Sequence, residues 1–348
     1  MKKIQIKIGD VLIGDGAPIS VQSMTNTPTD DVKKTVEQIN ELQKAGCDIV
    51  RLAVLNKTCA EAIKEIKNKT NIPLVADIHF DYRLALIAMD MGIDALRLNP
   101  GNIGGADHVK QVVQVAKKRN IPIRIGINGG SLEKYLYSDS SMNLADKMIK
   151  SALDHIKILE DLDFNLIKVS LKSSDVMTMI EAYRKIYKLI PYPLHLGVTE
   201  AGTLRGGIIK SAIGIGSLLV DGIGDTIRVS LTENPIEEVK AGFDILSALK
   251  LRRKGVNFVS CPTCGRCKIN LIGLAHKVEE RFKNLDKPIT IATMGCPVNG
   301  PNEAKDADYG IAGAIGEGYI FKKGELIKKV KENELLDEFE KIVLSDLD

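Results

Sequence analysis

Tryptophan is absent and aromatic residues make up only 4% of the 348 positions, which leaves little surface for stacking nucleic-acid bases. A surplus of one charge is absent too. Against 48 Lys and Arg stand 45 Asp and Glu, a net +3, too mild a balance to predict binding to a polyanionic backbone. The opening residues MKKIQIKIGDVLIG alternate Ile with Gln, Lys and Asp and lack the unbroken apolar stretch of a signal peptide, so the expected location is the cytoplasm. The richest apolar stretch, 208–220, is interrupted by Lys210 and Ser211 and is shorter than the ~20 residues a membrane-spanning helix needs. No G-x-G-x-x-G follows any strand-like segment, which argues against a nicotinamide or flavin site of the dinucleotide-binding kind. Cysteines number six, with four in the last third. That is no disulfide framework, and the asymmetry suggests a metal-binding domain.

What is present is an α/β pattern. Hydrophobic residues at 44% and charged residues at 27% suit a globular enzyme. From about residue 18 to 250 a β-branched run, a polar turn and a segment of helical periodicity recur eight times, the strands reading 18–25, 47–55, 72–80, 95–101, 121–129, 166–174, 193–201 and 226–233. Eight βα units predict a (β/α)8 TIM barrel, with an open doubly wound sheet as the alternative. The first helix, Asp31 to Ala45, lines Val32, Val36, Ile39 and Leu42 along one face and is followed by Gly46. Ahead of the barrel, IQIKIGDVLIG reads as a hairpin turning at Gly9 and Asp10 and plugging the barrel floor. The expected division is a barrel over 1–250, a basic linker over 251–260 and a smaller α+β domain over 261–348. That domain contains a strand at 289–294, a hairpin around Lys323 and Gly324, and an amphipathic helix over 332–347.

The smaller domain contains CPTCGRC, with Cys261, Cys264 and Cys267, and GCPVNGPNE, with Cys296 thirty-two residues after Cys264. Structural zinc usually takes two close Cys pairs. Here a single cysteine followed by Pro297 faces the CPTCGRC loop, which fits an iron–sulfur cluster better and leaves zinc as the alternative. Within the barrel strands polar residues recur at period two: Asp77 and His79, Arg97 and Asn99, Arg124 and Asn128, Lys168, Ser170 and Lys172, Arg228 and Ser230. Strand alternation puts each set on one face, and helices cover the outer face, so these residues point into the barrel mouth. With Arg51 added, the cations Arg51, Arg97, Arg124, Lys172 and Arg228 outnumber the nearby carboxylates, chiefly Asp77 and Glu200, and call for a highly charged anion. His79 and His195 read as packing residues, and Cys47 and Cys59 as core.

The motifs QSMTNT, ADIHFDYRLA, LRLNPGNIG, HLGVTEAGT, DTIRVSLTE, CPTCGR and GCPVNGPNEA resemble, in order and over nearly the whole chain, the IspG/GcpE family of 4-hydroxy-3-methylbut-2-enyl diphosphate synthases of two-domain bacterial type. The resemblance implies reductive ring opening and dehydroxylation of 2-C-methyl-D-erythritol 2,4-cyclodiphosphate in the methylerythritol phosphate route to isoprenoids. It implies a [4Fe-4S] cluster held by Cys261, Cys264, Cys296 and the carboxylate of Glu303. It also implies a diphosphate grip by Arg51, Arg97, Arg124, Asn128, Lys172, Arg228 and Ser230, with Glu200 as the catalytic acid near the reacting carbon. Cys267 is extra to the motif and is read as a spectator, although C-x2-C-x2-C offers a third thiol in place of Glu303; Asn302 stands where Gly is common. Ferredoxin or flavodoxin is the expected electron donor. The chain leaves the last barrel helix at the floor, and about ten linker residues reach at most ~35 Å, so a homodimer in which each cluster domain caps the other subunit's barrel is expected. The competing readings are a phosphate-ester-binding barrel transferase with a structural zinc domain, and a nucleic-acid module using Arg252, Arg253 and Lys254.

Overall fold

A computed structural model describes residues 3–267, 269–296 and 304–347. The chain divides into two compact units, Met1–Arg252 and Arg253–Asp348.

In the first unit a hairpin of β1 (Ile6–Ile8) and β2 (Val11–Ile13) precedes eight parallel strands: β3 (Ser20–Met24), β4 (Ile49–Ala53), β5 (Leu74–Asp77), β6 (Ala95–Arg97), β7 (Ile123–Asn128), β8 (Ile167–Lys172), β9 (His195–Leu196) and β10 (Thr226–Ile227). Their spatial order is β8-β7-β6-β5-β4-β3-β10-β9. A bridge between Val169 on β8 and Leu194, just ahead of β9, completes the ring. This is the TIM barrel, and the open sheet is ruled out. The covering helices are α1 (Val32–Ala45), α2 (Lys57–Lys69), α3 (Tyr82–Asp90), α4 (Ala106–Arg119), a short α5 (Lys134–Ser138), α6 (Leu144–Glu160), α7 (Val176–Ile186), α8 (Leu204–Val220) and α9 (Pro235–Ala248).

Local sequence chemistry explains the helix ends. Asp31 caps α1 by accepting from the Lys34 N–H, and Gly46 closes it at φ +105°, a conformation that costs glycine little. Ile39 and Leu42 of α1 are fully buried and Val32 and Val36 pack beside them, which is the face the periodicity gives. The hairpin pairs Ile6 with Ile13 and seats Ile6, Ile8 and Ile13 on Ile49, Val75 and Ala95. Those three residues lie at the starts of β4, β5 and β6, so the barrel floor is plugged by apolar side chains. Burying them contributes roughly 1.5–3 kcal/mol each for the larger ones. Cys47 and Cys59 are buried in the main core.

The second unit is a five-stranded sheet in the order β11 (Asn257–Ser260), β12 (Thr290–Met294), β13 (Tyr309–Ala314), β14 (Glu317–Lys322), β15 (Glu325–Lys331). The first three strands are parallel and the last two join antiparallel. Residues 257–260, expected to be linker, are therefore an edge strand. The β14–β15 hairpin turns at Lys323 and Gly324, both at positive φ, as a two-residue primed turn requires. α10 (Leu271–Phe282) and α11 (Leu335–Leu347) pack on the sheet through Val278, Phe282, Leu335, Phe339 and Val343. A 3-10 turn over Glu332–Glu334 delays the start of α11 to Leu335. No helix among the described residues is long and apolar enough to cross a membrane.

Candidate active site

The carboxyl ends of the barrel strands collect the charged residues. Strand register aligns Asp77 with Arg97, Arg97 with Arg124, Arg124 with Lys168 and Asn128 with Lys172, so the period-two sets share the interior. Asp77, Arg97, Arg124 and Lys172 are buried, while Arg51 and Arg228 keep 11% and 15% side-chain exposure.

Asp77 is the central counter-ion. Its Oδ1 accepts from Arg97 Nη1 at 3.1 Å, and its Oδ2 lies 3.6 Å from Arg51 Nε. Burial opposes its charge, but Arg51, the hydrogen bond with His79, Arg97 and Arg124 outweigh burial and hold the carboxyl well below the usual carboxylate range. Arg51 also donates from Nε and Nη2 to the Met24 sulfur at 3.1 and 3.0 Å. Arg124 donates from Nη1 to Ser170 Oγ. Its Nε and Nη2, with Arg97 Nε, are buried without a hydrogen-bond partner among the described residues.

The second counter-ion is Glu238, on the first turn of α9, which sequence reasoning missed. Its carboxylate lies 3.3 Å from Arg228 Nη2 and accepts from Ser23 Oγ and the Leu231 N–H. Glu200, expected to share the balancing, is exposed and sits at φ +52°; no described cation pairs with it. A left-handed backbone at a non-glycine residue is strained, and such strain concentrates at functional positions.

Five basic side chains, Arg51, Arg97, Arg124, Lys172 and Arg228, thus share two carboxylates, Asp77 and Glu238. Burial, then mutual repulsion, pushes Arg124 and Lys172 well below their ordinary values and brings Arg51 to about 10. Deeper in the barrel, fully buried Lys168 donates to Thr226 Oγ1 at 3.4 Å and is lowered by the same causes. Asn128 ends β7, and Ser230 follows β10 by three residues. His195 is the buried packing residue expected, with both ring nitrogens lacking a hydrogen-bond partner. His79 is not. It is half exposed, with Nε2 3.6 Å from Asp77 Oδ1 and both ring nitrogens within 3.4 Å of Arg97 Nη1.

The cysteine loops of the second unit spring from neighbouring parallel strands. Ser260 pairs with Thr293, so Cys261 leaves β11 beside the end of β12, and Cys296 follows β12 by two residues. The Gly295 N–H donates to Cys261 Sγ at 3.2 Å, and a Cβ at position 295 would stand 2.9 Å from Cys267 Sγ. The Cys267 N–H donates to the Cys264 carbonyl at 3.0 Å, closing a turn. The Cys264 thiol is exposed and lowered by backbone and side-chain hydrogen bonds with Arg266. Glu303 and Asn302 lie outside the described residues. Among the described residues no three His, Cys, Asp or Glu side chains are gathered closely enough to hold a metal. The donor set still fits a thiophilic cluster: four thiols on two adjacent loops, with a backbone N–H already bonded to one sulfur.

A family profile described as the GcpE TIM-barrel domain matches residues 3–243, and one described as the GcpE protein C-terminal domain matches 257–345. The chain is 59% identical over 343 residues to a Fusobacterium nucleatum protein named 4-hydroxy-3-methylbut-2-en-1-yl diphosphate synthase (flavodoxin), covering 99% of this chain and 97% of the relative. It is 58% identical over 339 residues to the Clostridium perfringens protein of that name, covering 97% of each. With the Geobacter sulfurreducens protein the identity is 56% over 346 residues, covering 98% of each. Among solved structures, dihydropteroate synthase from Yersinia pestis superposes with a TM-score of 0.51 at 11% identity, over 72% of this chain and 100% of that one. That likeness concerns the barrel fold alone.

Proposed function

We infer the activity of this chain from its lineage, for it belongs to the GcpE family: it is an oxidoreductase of isoprenoid biosynthesis that converts 2-C-methyl-D-erythritol 2,4-cyclodiphosphate into 4-hydroxy-3-methylbut-2-enyl diphosphate. The observation that carries this reading inside the barrel is the excess of basic side chains, five against two carboxylates, which a cyclic diphosphate complements. Arg97 Nε and Arg124 Nε and Nη2 supply the donors for it. Arg51, Arg97, Arg124, Asn128, Lys172, Arg228 and Ser230 grip the two phosphates. Asp77 and Glu238 aim the guanidinium groups of Arg51, Arg97 and Arg228 without cancelling the field. Phosphate binding energy then fixes the ring for reaction. Glu200 orients a hydroxyl or, after taking a proton from solvent, passes it to the departing oxygen.

Cys261, Cys264, Cys296 and Glu303 would hold a [4Fe-4S] cluster, with Cys267 a bystander. When bound, the cluster would relay the two electrons of the reduction one at a time from the external donor and would offer, at the iron lacking a thiolate, a position for substrate oxygen. The relatives' names include flavodoxin, and a flavodoxin is the proposed reductant. We place the chain in the cytoplasm as a homodimer in which each cluster domain covers the partner's barrel mouth. The exposed side chains Leu55 and Phe80, both 75% exposed on the loops after β4 and β5, and Met177, 68% exposed in the first turn of α7 after β8, give that mouth an apolar rim. Anaerobic purification with iron and sulfide analysis, followed by incubation with the cyclodiphosphate, dithionite and a viologen dye, tests the reading. Brown protein that forms the open-chain diphosphate is expected. Colourless zinc protein, or unchanged substrate with a loaded cluster, would overturn it.

A further inference from the structure

We propose that His155 is a positioning residue for substrate binding: its imidazole ties together the two mouth loops that carry Asn99 and Asn128, so that the anion-gripping end of the barrel is preformed. The proposal deepens the reading of that mouth as the diphosphate site and rests on it.

His155 lies on α6, outside the charged interior, and is 4% exposed. Its Nδ1 accepts the Gly101 N–H at 3.1 Å, and its Nε2 stands 2.8 Å from Glu133 Oε1. A nitrogen that accepts a backbone N–H carries no proton, so the hydrogen sits on Nε2 and is donated to the Glu133 carboxylate. One neutral ring thereby holds a donor from one loop and an acceptor from another.

Gly101 belongs to the 3-10 turn Pro100–Asn102, directly after Asn99. The Asn99 side chain exchanges two hydrogen bonds with Gly126 on β7, accepting from its N–H at 2.8 Å and donating to its carbonyl at 3.0 Å. Glu133 ends the loop that leaves β7 after Asn128 and stands at the residue preceding α5; Ser151 Oγ of α6 donates to it at 3.1 Å. Gly101 abuts the edge of the ring, where a Cβ would stand 2.7 Å from His155 Cε1. Burial favours the neutral imidazole against the pull of Glu133 and of Asp154, which keeps Nδ1 free to accept.

His155→Phe keeps a ring but neither hydrogen bond. In the iron-loaded enzyme it should raise KM for the cyclodiphosphate about tenfold, the equivalent of one lost buried hydrogen bond, with kcat changed far less and iron content unaltered. His155→Asn, whose side-chain oxygen reaches the Nδ1 position, should recover part of the loss. Gly101→Ala should reproduce the His155→Phe effect, whereas Gly105→Ala, whose Cβ meets nothing within 4 Å, should behave as wild type. An unchanged KM in His155→Phe, or Gly101→Ala no worse than Gly105→Ala, would overturn the proposal. Amide exchange keeps the test independent of turnover. If loaded wild type fails to convert the cyclodiphosphate, the functional reading fails, but residues 99–105 and 129–133 should still exchange faster together in Gly101→Ala and His155→Phe. Acceleration of only one loop, or of neither, would sink the clamp itself.

Discussion

Gly126 lies against the guanidinium of Arg97: a Cβ at position 126 would stand 2.7 Å from Arg97 Nε, and the Gly126 carbonyl accepts from Arg97 Nη2 at 3.1 Å. The backbone of β7 thus serves as the bed for the Arg97 side chain of β6, one of the residues proposed to grip phosphate. Glycine weakens a strand, and here its lack of a side chain is what the arginine uses. Gly126→Ala should displace Arg97 and raise KM for the cyclodiphosphate by about tenfold or more, with iron content and the thermal transition near wild type. Steady-state kinetics beside calorimetry checks this; a wild-type KM would show that Arg97 does not bind substrate.

If Lys172 grips the diphosphate as proposed, binding should be proton-linked. Burial first, and then Arg228, Arg124 and Arg51, lower its pKa well below 10.5. An anion seated beside it favours the charged form and raises that pKa. Binding therefore takes up protons, and affinity falls as pH rises from the lowered value of the free enzyme toward that of the complex. Titration calorimetry in buffers of different ionisation enthalpy should report net uptake in wild type. Lys172→Met should bind more weakly and lose the uptake; proton release on binding would contradict the assignment.

Glu200→Gln should bind the cyclodiphosphate within a few-fold of wild type and retain iron, yet turn over about a hundredfold more slowly or worse, the usual scale for losing a positioned acid or base. Single-turnover measurement with prereduced enzyme isolates this step. Full activity would leave Glu200 with a structural role only.

Cys267→Ser should leave iron and sulfide unchanged, whereas Cys261→Ser and Cys296→Ser should each abolish stable cluster assembly. Iron analysis and visible absorbance after anaerobic reconstitution separate the cases. Loss of iron in Cys267→Ser would transfer the fourth ligand from Glu303 to that thiol.

Mixing an Arg124→Ala chain with a Cys296→Ser chain, each inactive alone, should restore about a quarter of wild-type activity if subunits pair at random and each cluster serves its partner's barrel. No recovery after verified subunit exchange would place both halves of the site in one chain.

The barrel was legible because strand alternation and helical spacing are local signals. Arg124, Asn128, Lys168 and Lys172 declare their shared face at period two, and the β7–β8 register joins them as expected. Glu238 was not legible. An acid in the first turn of a helix reads as a partner for the helix dipole, and only the packing of α9 beside β3 and the Arg228 strand turns it inward. The contacts of His79 were less legible: period two sets it with Asp77, but its place beside Arg97 comes from the pairing of the neighbouring strands β5 and β6, which single-strand periodicity does not show. The role of residues 257–260 was hidden because a short edge strand next to a basic stretch has the composition of a linker.

The isoleucine stopper formed by Ile6, Ile8 and Ile13 makes the barrel a vessel with one opening. Substrate, water, product and protons all share that entrance, so anything that covers it has to clear it in every catalytic cycle.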